Sequence, residues 1–135
     1  MKYNGIIQKK LARLSREHEF LSLFLADFDR DKFVASWSGR SATERSLQIM
    51  VETIIDIADR IISLEKAGPV DSSVEAIEKL VSLGVLATAE PYIEMVRFRN
   101  LLVHVYDDID PGIVYAIATE KLADFIAFKN IIENS

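Results

Sequence analysis

The stretch RNLLVHVY, residues 99–106, threads Arg99, Asn100, His104 and Tyr106 between four aliphatic side chains. Either these are polar residues satisfied within a helical bundle, or they form a site that a helix holds in place. As a site, their types suit one reaction. Cleaving RNA through its own 2′-hydroxyl needs neither a metal nor a protein nucleophile. It needs a group that titrates near neutrality to move protons, and a cation to stabilise charge on the phosphorane. His104 and Arg99 are of those types. Their spacing complicates the pairing, because five positions on a helix of 3.6 residues per turn leave them about 140° apart. Either the long arginine arm wraps, the helix deforms, or a second subunit supplies the missing half.

Other chemistries find less support. Asp107, Asp108 and Asp110 lack the Asp/Gly loop spacing of a cation site, and no second histidine lies close by in sequence. They read as a helix end followed by an N-cap, and no metal is expected. A helix C-terminus disfavours each carboxylate by about 0.3–1 kcal/mol, so something else must hold Asp107 there. It lies three residues after His104, near enough to accept a hydrogen bond from the ring and fix its tautomer. The five glycines are scattered singly, so there is no phosphate loop, and no serine sits in a nucleophile elbow. No cofactor is expected.

The elements that must position RNLLVHVY are helices. Apolar residues recur at helical spacing nearly everywhere, and no segment alternates with a period of two. A first helix is expected over about residues 4–28, followed by a break in DFDRDKFVASWSGRS. Ser41 and Glu44 form a capping box that would open a long second helix, stopped by Gly68 and Pro69. Ser72 and Glu75 repeat the box for a third helix ending near Gly84. Pro91 suits the first turn of a fourth, PYIEMVRFRNLLVHVY. Asp110 would cap a fifth that starts at Pro111 and runs to about Ile132. The expected architecture is an all-α, up-and-down bundle of four to five helices, one domain over residues 1–135.

Composition sets the boundaries. Half of the 135 residues are apolar, rich for a soluble monomer, which points to an oligomer that hides apolar surface. There are no cysteines, so thiolate metal sites and disulfides are excluded and a reducing cytoplasm is the expected compartment. MKYNGIIQKK lacks the apolar block of a signal peptide, and no apolar run nears the roughly 18 residues of a membrane span. The net charge of −5 argues against a general nucleic-acid coat protein. Residues 1–20 nevertheless carry a net +3, leaving −8 for the remainder. That basic helix could meet a phosphate backbone locally; a solvated face of i,i+4 pairs is the plainer account.

The spacing Arg99-x4-His104-x-Tyr106 resembles the R-x4-6-H motif of HEPN-domain proteins. It is most similar to the HepT-like branch, the toxins of HepT–MNT toxin–antitoxin pairs. ERSLQIMVETIIDIADRII resembles that family's second long helix, and MVRFRNLLVHVYDDIDPGIVY its motif helix and following turn. The resemblance implies an all-helical homodimer whose motif helices meet near the two-fold axis. It implies a metal-independent endoribonuclease acting on cellular RNA, tRNA or mRNA, with Arg99 and His104 catalytic and Asn100 in support. Tyr106 falls on the tyrosine that the partner MNT-type nucleotidyltransferase antitoxin modifies with AMP to silence the toxin. A dimeric site would also remove the 140° difficulty. The alternative is a non-catalytic helical module that binds a nucleotidyltransferase or a nucleotide.

Overall fold

The computed structural model describes residues 2–3, 5–104 and 109–135. Among them are seven helices and no strand: α1 (Ile6–Leu25), α2 (Arg30–Ala35), α3 (Trp37–Leu64), α4 (Ser73–Ser82), α5 (Tyr92–His104), α6 (Pro111–Glu120) and α7 (Leu122–Glu133). The all-α bundle is as expected. Its two extra helices arise where local chemistry overrides the gross hydrophobic pattern.

The first addition is α2, inside the segment read as a break. The Asp29 side chain accepts the Lys32 amide at 2.8 Å and caps the start, while Phe33 is fully buried against Phe28 and Tyr115. One large aromatic ring suffices to dock a six-residue helix that charge and glycine had disguised. The second is a break at Lys121, which divides the expected fifth helix into α6 and α7. Near it the Thr119 hydroxyl donates to the Tyr115 carbonyl at 2.8 Å, a back-bond of the kind that bends helices.

Boundaries moved as well. The first helix ends at Leu25, short of the expected Phe28. Ser41 and Glu44 do not open α3. Ser36 does, its hydroxyl accepting the Gly39 amide at 3.0 Å, so Ser41 lies inside the helix. The other end of α3 closes earlier than Gly68. Lys66 adopts φ 54°, and the amides of Lys66 and Ala67 donate back to Ser63 and Ile62 in a Schellman motif. The same closure ends α4, where Gly84 takes the left-handed position as expected. Ser72 caps α4 by accepting the Glu75 amide, Asp110 caps α6 by accepting that of Gly112, and Pro91 immediately precedes α5.

Helix α3 is the spine: α1, α2, α4, α5 and α6 all pack on it, and α7 packs on α1 and α6. Buried side chains from every helix meet in one apolar cluster. For the motif, two consequences follow. Helix α5 packs on both α3 and α4, so residues of those helices can reach it. Helix α2 braces α6, just beyond the motif. The Tyr115 hydroxyl donates to the Phe28 carbonyl at 3.1 Å, and the Arg30 guanidinium lies directly over Gly112.

Candidate functional site

Helix α5 is held by its first half. Tyr92, Ile93 and Val96 are buried, and the Tyr92 ring meets Phe128 edge-on with centroids 5.4 Å apart. Met95, Phe98 and Leu102 are half-buried against the same cluster. Beyond Val96 no residue as far as His104 is buried. Leu101, one of the motif's aliphatic residues, stays 51% exposed.

Arg99 is the most tethered residue of the motif. Its Nε donates to Asn100 Oδ1 at 3.0 Å, Nη2 donates to Ser73 Oγ at 3.4 Å, and Nη1 lies 3.8 Å from Glu52 Oε1. Glu52 is itself steadied one turn earlier in α3, where Gln48 Nε2 donates to the same carboxylate oxygen at 3.0 Å. The guanidinium therefore lies toward α3 and α4, with about a fifth of the side chain exposed.

His104 is exposed at the last described position of α5. Arg99 and Asn100 are thus brought together, whereas Arg99 and His104 share no described contact. Tyr106 and Asp107, and with them the expected hydrogen bond from His104 to Asp107, lie outside the described residues. Asp110 is occupied as a helix cap, and among the described residues no three acidic or histidine side chains converge as a metal site would require. Sequence reasoning missed Glu52, Gln48 and Ser73. Each looks like an ordinary residue of its own helix, and only packing brings them to Arg99.

On another side of α5 lies an apolar pocket of about 270 Å³, with Leu47, Val51, Met95, Phe98, Ile117 and Phe125 in its lining. Leu101 belongs to the lining too, and Glu94, Arg97, Lys121 and Asp124 supply two charges of each sign. No helix among the described residues is long and apolar enough to cross a membrane.

Comparison with known proteins bears on this geometry. A family model described as Ribonuclease HepT-like matches residues 14–132. The chain is 34% identical over 122 residues to the tRNA nuclease HepT of Aphanizomenon flos-aquae, covering 89% of this chain and 82% of that protein. Its fold matches the tri-AMPylated HEPN toxin of Shewanella oneidensis, solved in complex with MNT antitoxin. The TM-score is 0.90 at 25% identity, over 98% of this chain and 100% of that one. YutE of Bacillus subtilis, a cytosolic protein of unknown function, shares the fold with a TM-score of 0.79 at 22% identity, over 95% and 86% of the two chains.

Proposed function

The chain belongs to the ribonuclease HepT-like family, and from that premise we propose that it is the endoribonuclease toxin of a toxin–antitoxin pair, cleaving cellular RNA without a metal. The observation that carries this reading is the arrangement on α5: a tethered, partly exposed Arg99 and a solvent-facing His104 on one helix. The 2′-oxygen attacks phosphorus as His104 accepts its proton. The phosphorus–5′-oxygen bond breaks, and a histidine returns a proton to the leaving oxygen. Arg99 stabilises the extra charge on the phosphorane, where a planar guanidinium matches two phosphate oxygens.

The divergence of Arg99 and His104 favours a site shared across a homodimer. Leu101, half exposed beside an apolar pocket rimmed by equal numbers of both charges, supports a self-complementary contact along α5. The likeness to an AMPylated toxin held by MNT antitoxin supports a nucleotidyltransferase partner that transfers AMP to Tyr106. In that step the phenol oxygen bonds to the α-phosphorus of ATP and pyrophosphate leaves. The added phosphate and adenosine bring negative charge and bulk two residues beyond His104, in competition with RNA.

One contact favours a second reading. Glu52 partly offsets the Arg99 charge, as suits a non-catalytic module that binds its nucleotidyltransferase partner or a nucleotide. The test is cleavage of varied RNAs in excess chelator by the wild type, His104→Ala and Arg99→Ala, with circular dichroism as a fold check. Losing either group is expected to slow cleavage by roughly 10²–10⁴-fold. Mixing the two variants should restore partial activity if each site draws on both chains. Undiminished cleavage by both variants would rule out these catalytic roles, and no cleavage by the wild type would favour the binding module.

A further inference from the structure

We propose that Glu52 and Ser73 are positioning residues for Arg99, holding its guanidinium where α5 packs on α3 and α4 so that it meets a substrate phosphate in one orientation. The inference rests on the ribonuclease reading above. Asn100, Ser73 and Glu52 engage three different nitrogens of the guanidinium, which sets the plane of the group as well as its location. An arginine has five N–H donors, so three described partners still leave capacity for an oxyanion.

The distances are graded in a way that suits exchange with a substrate. Asn100 makes the closest bond, at 3.0 Å, whereas Glu52 at 3.8 Å is outside hydrogen-bond range and acts through charge alone. Phosphate oxygens at normal hydrogen-bond distance would outcompete it without moving the helix. Both anchors are themselves fixed. Gln48 holds Glu52 on the most buried helix of the protein, and Ser73 is the first residue of α4, just behind the Ser72 cap. Supporting groups on rigid elements are what a preorganised cation requires. The Glu52 side chain is 39% exposed, so the pair contributes little to folding and stability does not explain it.

Steady-state cleavage by Glu52→Ala, Glu52→Asp, Ser73→Ala and the double variant Glu52→Ala/Arg99→Ala tests this. Glu52→Ala should lower kcat by roughly 10- to 100-fold, the usual effect of a loosened catalytic group. Its KM should stay level or fall, because removing a carboxylate makes the surroundings of Arg99 more attractive to a polyanion. A merely structural role would not split the two constants that way. Ser73→Ala should act in the same direction more weakly, and Glu52→Asp should recover part of the loss. The double variant should be no slower than Arg99→Ala alone. Wild-type kcat in Glu52→Ala, or additive losses in the double variant, would overturn the proposal. A second readout does not depend on RNA: the rate at which phenylglyoxal modifies Arg99, followed by peptide mass spectrometry, should rise when Glu52 is removed. If the wild type cleaves nothing, the nuclease reading fails while this rate still decides the positioning role, and an unchanged rate overturns it.

Discussion

Helix α3 is buried at regular intervals from Gly39 to Ile62, whereas α5 buries Tyr92, Ile93 and Val96 and then nothing as far as His104. The two helices lie against each other, yet one is shaped by the core and the other only borrows from it. In α3 the inward positions from Leu47 to Ile62 are mostly apolar, so burial does most to hold it, and Ser46 adds a hydrogen bond from its hydroxyl to Glu17 at 2.8 Å. In α5 the first half anchors and the second half presents. That division lets a half-exposed leucine and an exposed histidine persist on a helix that remains well placed. Of the residues that steady Arg99, Glu52 lies on the rigid helix, Ser73 on α4 and Asn100 on the presenting helix itself.

Core truncation should break the comparison most severely. Phe33→Ala removes a fully buried ring and is expected to cost about 3–5 kcal/mol, measured by denaturant unfolding. A loss below about 1 kcal/mol would mean that α2 is not fastened by that ring. Ser72→Ala removes the cap of α4 and should cost about 1 kcal/mol, while also loosening the element that carries Ser73. Leu101→Ala should change unfolding of the isolated chain by less than about 0.5 kcal/mol, as an exposed site does. Its effect should fall on self-association, seen by analytical ultracentrifugation; unaltered association would place the dimer contact elsewhere.

The smallest effect concerns Glu44. Burial raises its pKa above the ordinary carboxylate value, opposed in part by the Arg40 charge. The folded state therefore holds the proton more tightly than the unfolded chain does, and stability declines as pH rises through that window. Glu44→Gln should melt slightly higher than wild type at pH 7, with the gap closing below the ordinary glutamate value. Equal melting temperatures at pH 7 would mean that the burial carries no penalty.

How much was legible in sequence varied with the range of the interaction. The caps at Ser72 and Asp110 and the Gly84 closure are local, involving residues two to five apart, and sequence alone located them. The Ser41–Glu44 box misled because Ser36, five residues earlier, offered a competing cap and Phe33 a docking point that brought the chain to it. Lys66 closes α3 in a conformation usually left to glycine, so the closure carried no glycine signal.

Sequence by itself determined the helical class, the motif helix and the candidate pair Arg99 and His104, because hydrophobic period and residue chemistry are written in neighbouring positions. Tertiary structure alone decided where the Arg99 guanidinium lies. Its partners Glu52 and Ser73 come from helices that mark neither residue as special, and contacts between segments far apart in the chain exist only once the core has packed. Exposure of Leu101 was settled in the same way, since helical spacing says which residues share a face but not what covers that face.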